Sequence, residues 1–568
     1  MKPENEVQAK HGRLIVLAVV LAIGWLVIIG RLAYYQIWMH DELEGMAVAE
    51  RERERELSPE RGNILDATGQ VLAMSVIQWD ISASPVLVGD PLELSEQLAD
   101  LLDIPREELH AKLNSDVPWV SLARGCAQEV GEAVASLKAT GITCEPRALR
   151  VFPEGALAAH VVGIVNDGGV GFGGVEGYYN PWLTGTEGKR AIEQTGVGAE
   201  IPLPDQDQMA ATAGTNLILT VDRNIQMIAV QELEQAIEKY QAQSGTVVIM
   251  DPKTGAILAI ANYPSYDPNT FPKIEEDLLP DAALSAVWEP GSIFKVITWA
   301  GGLDSGTISP GTSVYDSGYR EVGGRVLWNF DRMGRGWVTM TDGLAQSLNT
   351  VAAFISTSMG KELFYTYVER FGFGNSTGVD LASEVAGMVR RPGDPDWYPS
   401  DLGTNAFGQG IAVTPVQMLS AVSAVANHGL LMRPYIVKEF ITADKTISVE
   451  PMAVRQAITE ETAETLTEML VEVVAREATK AQVTGYRIAG KTGTAQVPTP
   501  AGYDPDATIA SFIGFAPADD PQFAILVKLD KPQASPWANH TAAPTFRAIA
   551  ERLMVYLQIP PDEIRAAQ

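Results

Sequence analysis

The first clear pattern along the chain is a run of apolar residues near its start. Leu14 to Gly30 reads LIVLAVVLAIGWLVIIG, 17 residues without a charge. A helix of this length spans about 25 Å, close to the thickness of the hydrocarbon core of a bilayer. The apolar character continues into an aromatic segment, so we predict a transmembrane anchor over residues 14–37, preceded by a short cytoplasmic tail, 1–13.

The residues around this run favour an anchor that is not cleaved. Lys2, Lys10 and Arg13 precede the run, whereas Arg31 alone follows it closely, and positive charge tends to stay on the cytoplasmic side. An Ala-Val-Ala triplet at 47–49 lies too far beyond the run for a normal signal-peptidase site. We therefore predict a single-pass protein of the cell membrane, with everything after about residue 38 outside the cytoplasm.

The next part of the chain changes to short, interrupted elements. Residues 40–57 are highly charged and fit a solvated helix, a stalk or a plain linker. From about 60 to 210, short apolar runs alternate with Gly and Pro breaks around one predicted helix, Gln128–Lys138. We interpret 38–212 as a stalk and a mixed α/β pedestal domain. The sequence leaves open whether Cys126 and Cys144 form a disulfide or remain free thiols.

A polar, turn-rich stretch ends near Gly214, and longer regular elements follow it. The pattern predicts a helix over Ile225–Tyr240 and two strands, GTVVIMD at 245–251 and AILAIA at 256–261. We place the main domain boundary at this stretch and assign 213–568 to one large domain. The overall fold class is therefore predicted to be α+β.

Composition excludes several classes of function. The chain has 42 Lys and Arg against 71 Asp and Glu, a net charge of −29, which would repel nucleic acid. The two cysteines and six histidines do not have the spacing of a zinc site, so no metal or cofactor is expected. None of the histidines accompanies a G-x-S-x-G motif, so any nucleophilic serine must use another base.

A serine–lysine pair offers such a base. Pro290 and Gly291 break the chain just before an apolar run, which places Ser292 in the first turn of a predicted helix and Lys295 on the same face. A free lysine has a pKa near 10.4, but burial and a second cation can lower that pKa by several units. A second lysine close by would therefore help Lys295 to accept a proton.

Two further motifs follow in the large domain. Ser347-Leu348-Asn349 offers a hydroxyl and an amide, and Lys491 to Thr494 supplies a cation and two hydroxyls on a predicted edge strand. Second copies of the short motifs have simpler explanations. Lys253-Thr254-Gly255 fits a hairpin turn between two strands, and Ser358 to Lys361 contains Gly360, a poor residue for a catalytic helix.

The ordered set of S-x-x-K at 292, S-x-N at 347 and K-T-G at 491 resembles the penicillin-binding protein and serine β-lactamase superfamily. Flanking stretches, including RGNILD at 61–66 and GGVEGYYNPWLTGTEG, narrow the resemblance to monofunctional class B penicillin-binding proteins. The resemblance implies a dimerisation-like pedestal and a transpeptidase domain in which helices flank an antiparallel sheet. Ala67 departs from the family, which usually has Arg there, so the resemblance gives less support for an ion-pair network in the pedestal.

The resemblance also implies roles in acyl transfer. Ser292 would be the nucleophile and Lys295 its base. Ser347 would relay a proton to the leaving group, and Asn349 would donate to the substrate amide. Lys491 would keep the local potential positive.

Substrate-binding roles follow in the same way. Thr492 and Thr494 would hold the terminal carboxylate of the donor, with Gly493 between them on the strand. The backbone N–H groups of Ser292 and Thr494 would form the oxyanion hole.

The reaction implied is cross-linking of peptidoglycan stem peptides that end in D-Ala-D-Ala, and β-lactams should trap the same serine covalently. No glycosyltransferase domain fits between the anchor and residue 210, so the resemblance implies a separate polymerase of the SEDS type and other division or elongation proteins as partners. EGYYNPWLTG favours the septal, cell-division type. A D,D-carboxypeptidase, a β-lactamase or an inactive division scaffold are the alternatives.

Overall fold

The computed structural model describes residues 4–57, 59–194, 200–202, 208–499 and 502–567. Two compact units divide the chain: Met1–Pro59 with Gly185–Ala213, and Glu60–Thr184 with Gly214–Gln568. Parts of the predicted cytoplasmic tail and of the turn-rich stretch before Gly214 lie outside the described residues.

The first unit contains the predicted anchor. A helix spans Glu4–Ala33 and continues as a π-helical turn, Tyr34–Trp38. Within it, Gly12–Trp38 forms a segment of 27 residues that is long and apolar enough to cross a membrane. This segment agrees closely with the anchor predicted over 14–37.

The charged segment that follows the anchor is partly helical and partly extended. A helix spans His40–Arg51, and a strand, Glu52–Leu57, pairs antiparallel with Gly188–Gln194. The sequence did not predict this strand, because alternating Arg and Glu residues give no apolar face for the pattern to detect. The remaining strands of this unit are Glu200–Pro202 and Gln208–Met209.

In the second unit, a seven-stranded sheet organises the pedestal. The long strand Val71–Ala83 lies between Val120–Cys126 and Ile142–Val151. At its other end the sheet takes in Asn216–Leu219, which pairs parallel with Ile64–Leu65 and antiparallel with Val437–Ile441. The sheet thus includes residues from both sides of the domain boundary placed after 212, which stays a prediction. The last strand of this sheet is Thr446–Ser448. Ile164–Val165 and Gly171–Phe172 form a small separate ribbon. The helices of the pedestal are Pro91–Leu102, Arg106–Leu113, Gln128–Ser136, Ala159–Val162, Gly174–Tyr178 and Asn180–Thr184.

The two cysteines carry free thiols. Cys126 pairs with Trp79 on one side of the long strand, and Cys144 pairs with Ile81 on the other side. Strands that flank a common neighbour lie about 10 Å apart, whereas a disulfide needs Cα atoms within about 7 Å. The sheet therefore settles the open question in favour of free thiols, and burial raises the pKa of both.

The large domain is built on a five-stranded antiparallel sheet. Its order is Ile257–Tyr263, Ser244–Met250, Phe523–Asp530, Gly502–Ala516 and Ala489–Thr499. Helices cover both faces, so Val247 and Ile249 enter one apolar cluster while Val248 and Met250 enter another. Burial on both faces explains why these strands read as continuous apolar runs, and the predicted α+β architecture is confirmed.

The other elements of the large domain surround this sheet. Its helices are Arg223–Tyr240, Ala282–Ser285, Lys295–Asp304, Met340–Ala345, Asn349–Met359, Lys361–Arg370, Asp401–Thr404, Pro415–Ala426, Glu460–Arg476, Ala542–Tyr556 and Asp562–Arg565. Two-stranded ribbons pair Ser313–Asp316 with Gly336–Thr339, Tyr319–Val322 with Arg325–Trp328, Met388–Val389 with Ile411–Ala412, and Leu430–Met432 with Ala453–Gln456.

A buried ion triad lies in the pedestal. The Glu176 carboxylate is fully buried and accepts hydrogen bonds from Arg61 Nε and Arg150 Nε, both at 2.7 Å. The network forms without an arginine at position 67, where Ala67 instead donates its backbone N–H to Val221 O. One carboxylate thus neutralises part of the charge of two guanidinium groups that are shielded from water.

We expect Glu176→Ala to cost about 3–5 kcal/mol of folding free energy, because it leaves two buried cations without a counter-charge. Glu96→Ala is a matched control, since Glu96 pairs with Arg106 on the pedestal surface, where such a pair contributes about 0–1 kcal/mol. Denaturant unfolding of both variants measures the difference. Equal losses would show that the triad has no special role.

Candidate active site

A short turn positions Ser292. Gly291 has φ +56° and donates its backbone N–H to Gly408 O at 3.1 Å. A 3-10 turn, Gly291–Phe294, then leads into the helix Lys295–Asp304. Residues i and i+3 eclipse in a 3-10 turn, so Ser292 and Lys295 lie on one side. The sequence predicted this shared face, although it predicted an α-helical turn.

The Lys295 side chain is fully buried and is held by the S-x-N motif. Its Nζ donates to Ser347 O at 2.5 Å, to Ser347 Oγ at 3.2 Å and to Asn349 Oδ1 at 2.8 Å. Within the described residues its hydrogen bonds do not include one to the half-buried Ser292 hydroxyl. Before substrate arrives, the amine is therefore oriented by residues 347 and 349.

Lys491 also contacts Ser347. Its side chain is also buried, and its Nζ donates to Ser347 Oγ at 3.1 Å and to Thr492 O at 3.1 Å. Ser347 Oγ thus accepts from both amines. A hydroxyl oxygen has two lone pairs, so when both lysines are protonated both lone pairs are used and the Ser347 proton can point toward a third group.

Burial lowers the proton affinity of both amines, and the charge of Lys491 lowers that of Lys295 further. Burial, and then the charge of Lys491, hold the pKa of Lys295 well below its usual range. Burial lowers the pKa of Lys491 to about 7, with Glu477 acting weakly in the opposite direction. These shifts favour an uncharged Lys295 beside a Lys491 that is charged below about pH 7. The two N–H groups of the uncharged amine bind the oxygens Ser347 O and Asn349 Oδ1, and its lone pair faces Ser347 Oγ.

Ser347 has an unusual backbone conformation. Its φ is +57°, and it follows the helix Met340–Ala345. Ser347 N donates to Leu344 O and Leu348 N donates to Gly343 O, the two hydrogen bonds of a Schellman motif. Glycine is the usual residue at this left-handed position because a Cβ atom is strained there. The serine here is therefore kept at a cost in backbone energy, as is common at functional sites.

The Lys491 strand lies at the edge of the large sheet, as predicted. It pairs with Gly502–Ala516 on one side, and among the described residues no strand pairs with its other side, where an extended ligand could add. Gly493 lets this strand lie directly on the turn Gly291–Phe294, which carries Ser292. A Cβ atom at 493 would come within 2.9 Å of Ile293 Cγ2 and 3.1 Å of Pro290 O. Any side chain at 493 would push the strand away from Ser292.

The remaining predicted residues border the same groove. Thr494 Oγ1 accepts from Ala538 N at 3.3 Å, which fixes the hydroxyl beside the edge strand. Asn349 Nδ2 donates to Trp328 O at 3.0 Å, so one amide hydrogen is left for a ligand. Thr492 is half-buried next to Lys491. The structure therefore brings the three motifs together, while the assigned roles stay predictions.

The second copies of the motifs lie elsewhere. Ser358 and Lys361 are exposed and are separated by Gly360 with φ +77°. Lys253 lies in the turn between two strands and pairs with Asp520. These positions agree with the simpler explanations that the sequence suggested.

The sequence did not identify Glu289, which lies three residues before Ser292. Its carboxylate accepts from Gly410 N and from Tyr503 OH, both at 2.8 Å, and burial raises its pKa. The contact with Tyr503 ties the start of the strand Gly502–Ala516 to the segment just before Ser292. No local pattern marks it, because Tyr503 is 214 residues away along the chain.

Comparison with known proteins gives matches over nearly the whole chain. The family profile described as "Penicillin binding protein transpeptidase domain" matches residues 245–551, and "Penicillin-binding Protein dimerisation domain" matches residues 56–219. Stage V sporulation protein D of Bacillus subtilis is 33% identical over 552 residues, which cover 95% of this chain and 85% of that protein. Peptidoglycan D,D-transpeptidase FtsI of Escherichia coli is 30% identical over 556 residues, which cover 96% and 92%.

Solved structures show the same fold. A peptidoglycan synthetase from Bifidobacterium adolescentis superposes with a TM-score of 0.75 at 26% identity, covering 90% of this chain and 98% of that one. Penicillin binding protein 3 from Mycobacterium tuberculosis, complexed with aztreonam, gives a TM-score of 0.70 at 27% identity, covering 89% and 98%.

The conformation of Ser347 can be separated from its chemistry by two variants. Ser347→Ala and Ser347→Gly both remove the hydroxyl, but only glycine removes the strained Cβ atom. We expect the glycine variant to be more stable by about 1 kcal/mol in thermal unfolding, and both variants to lose acylation of Ser292 equally. Equal stability of the two would contradict the strain.

The paired lysines predict a bell-shaped pH profile for acylation of Ser292 by a β-lactam. Lys295 must be unprotonated, which gives the acidic limb, and Lys491 must be protonated. The second-order rate constant should therefore fall above about pH 7, where Lys491 loses its proton. In Lys491→Arg the alkaline limb should disappear, because guanidinium stays charged. An unchanged alkaline limb in that variant would assign the limb to another group.

Proposed function

The chain belongs to the class B penicillin-binding proteins, and we propose that it is a septal-type D,D-transpeptidase that cross-links peptidoglycan stem peptides through a serine acyl-enzyme. The observation that carries the proposal is the convergence of Lys295, Ser347 and Lys491 beside Ser292, with one hydroxyl oxygen shared by two buried amines. Such a cluster supplies a base without histidine.

Acylation is the first half of the reaction. Ser292 Oγ attacks the carbonyl carbon of the D-Ala-D-Ala bond while Lys295 Nζ takes the hydroxyl proton. The oxyanion is held by the backbone N–H groups of Ser292 and Thr494, and loss of one such donor typically costs about 3–4 kcal/mol of transition-state stabilisation. Collapse breaks the C–N bond, and the departing amine of D-Ala receives its proton through Ser347.

Deacylation reverses these proton transfers. An amine of a neighbouring stem attacks the ester carbonyl, gives up a proton through Ser347 and Lys295, and forms the cross-link as Ser292 leaves. The donor's terminal carboxylate is held during acylation by Thr492 and Thr494 beside the Lys491 charge. The donor stem lies along the edge of the Lys491 strand that does not face Gly502–Ala516, because that strand already occupies the other edge.

The enzyme is anchored by its N-terminal apolar helix, and we place the catalytic domain outside the cytoplasm. The positive residues Lys2, Lys10 and Arg13 before the helix support this orientation. Polymerised glycan must reach the enzyme from a separate polymerase. We infer a membrane polymerase of the SEDS type and division proteins as partners, from the family resemblance of the chain.

Labelling with a fluorescent penicillin tests the nucleophile. The wild type should be labelled covalently, and Ser292→Ala should not be labelled, because no acyl-enzyme can form. Ser358→Ala, which alters the second S-x-x-K sequence, is the matched control and should be labelled like the wild type. Labelling of Ser292→Ala would remove Ser292 from its role.

Product analysis distinguishes transpeptidation from the hydrolytic alternatives. With a defined lipid-linked substrate and its cognate polymerase, mass spectrometry should detect cross-linked dimers that are absent with Ser292→Ala. Release of D-Ala without dimers would instead identify a D,D-carboxypeptidase.

A further inference from the structure

Two ribbons beside the active site present aromatic side chains to solvent. Tyr315 and Trp337 are cross-strand partners on the ribbon of Ser313–Asp316 with Gly336–Thr339, and their rings meet edge to face at 5.8 Å. Tyr319 and Trp328 are partners on the next ribbon, with ring centroids 5.3 Å apart. Trp337 is 74% exposed and Tyr315 58%. Each ribbon therefore carries one exposed Tyr–Trp pair.

A buried polar network fixes the two ribbons relative to each other. Asp316 follows Tyr315, and Asn329 follows Trp328. Asn329 Nδ2 donates to both oxygens of the Asp316 carboxylate, at 3.1 and 2.9 Å, and both residues are almost fully buried. The spacing between the two aromatic pairs is consequently set by a charge-assisted contact.

The same network connects the ribbons to the catalytic motif. Thr350 Oγ1 donates to Asp316 Oδ1 at 2.8 Å, and Thr350 N donates to Asn329 Oδ1 at 3.2 Å. Its neighbour Asn349, which holds Lys295, donates to Trp328 O. The aromatic surface thus begins one hydrogen bond from the S-x-N motif and is held rigidly to it.

Stabilisation of the ribbons alone does not account for these side chains. A two-stranded ribbon benefits from a cross-strand aromatic pair, but Thr–Thr pairs also stabilise such ribbons without exposing large apolar rings. Contiguous exposed aromatic surface usually marks a binding site. The pair Tyr315–Trp337 is the more informative, because Asn349 donates its hydrogen bond to the other ribbon, at Trp328 O.

The position of the surface favours the substrate over a protein partner. A protein seated here would cover the mouth through which donor and acceptor stems must enter. The glycan strand must pass this mouth, because the stems are attached to it. Three residues of extended stem span about 10 Å, which places the sugar near residues that adjoin Asn349 rather than at the reacting bond.

The chemistry of the surface also suits such a strand. Pyranose rings have apolar C–H faces that pack on aromatic rings, with hydroxyl groups at their edges. Residues 313–339 contain four arginines against three carboxylates, in a chain with net charge −29, and Asp316 is buried. Arg332 lies over the Trp328 ring at 5.8 Å. Anionic stems are therefore not repelled here, as they would be over most of the molecule.

We propose that the exposed faces of the two ribbons form a glycan-binding platform, on which the pairs Tyr315–Trp337 and Tyr319–Trp328 stack against the sugar rings of the strand that carries the donor stem. This proposal rests on the proposed transpeptidase function for its substrate. The platform holds the polymer so that its stem is delivered to the Lys491 strand, and it makes the enzyme prefer polymerised glycan to free peptide.

Binding of the full-length protein, in detergent, to glycan strands stripped of their stem peptides tests the platform directly. The double variant Tyr315→Thr/Trp337→Thr keeps a β-branched pair on the ribbon, and it should bind these strands at least tenfold more weakly than the wild type. Trp337→Phe should retain most of the affinity, since a ring remains. Trp119→Thr is the matched control, because Trp119 is exposed on the pedestal, and it should bind like the wild type.

Penicillin labelling separates this proposal from the proposed function. The double variant should label Ser292 at the wild-type rate, which shows that the ribbon and the S-x-N motif are intact. Wild-type affinity in the double variant, or no binding of stripped strands by the wild type, would overturn the platform while leaving labelling unaffected. Loss of vesicle binding or of self-association in the double variant, with glycan binding retained, would assign the surface to a membrane or a second copy and overturn the proposal as well. Absence of labelling in the wild type would overturn the proposed function instead.

Discussion

The active site depends on one oxygen atom, Ser347 Oγ, which accepts hydrogen bonds from two buried lysines. Two amines bound to the same atom lie within roughly 6 Å of each other, where two unit charges repel by about 3 kcal/mol at an effective dielectric constant of about 20. Burial adds a desolvation cost for each charge. The cluster therefore holds one proton fewer than two ordinary lysines would. Lys295 is the amine that loses this proton, because the charge of Lys491 also lowers its pKa. The proposed role of Lys295 as a general base depends on this missing proton.

The rest of the fold keeps that oxygen in place. Ser347 is held in a left-handed conformation by the Schellman hydrogen bonds at the end of the helix Met340–Ala345. Asp316 and Asn329 bind each other, and Asp316 binds Thr350, which fixes the start of the next helix. On the opposite side, Gly493 lets the edge strand contact the turn that carries Ser292. Small backbone shifts at any of these points would move a lysine away from the Ser347 hydroxyl. The proposed chemistry therefore requires the tight packing around this residue.

Much of this arrangement could be predicted from the sequence. The anchor, the helix that ends at Tyr240 and the strands of the central sheet follow from apolar patterns, and the motif residues at 292, 347 and 491 follow from their order. What the sequence could not supply depends on contacts between distant residues. The strand Glu52–Leu57 has no apolar face, and the free state of the two thiols depends on the strand between them. The role of Glu289 depends on Tyr503, and the positive φ of Ser347 appears only once the helix end is built.

The order of strands in the central sheet has a consequence for the timing of assembly. Ser244–Met250 lies against Phe523–Asp530, and the Lys491 strand joins this pair through Gly502–Ala516, so strands far apart along the chain must pair to complete the sheet. A chain that is still being synthesised therefore carries Ser292 long before Lys491 can dock beside it. Pairings this far apart in sequence form slowly. A partly synthesised chain thus lacks the second amine of the cluster, and we expect its Ser292 to stay unreactive until the last strands of the sheet have paired.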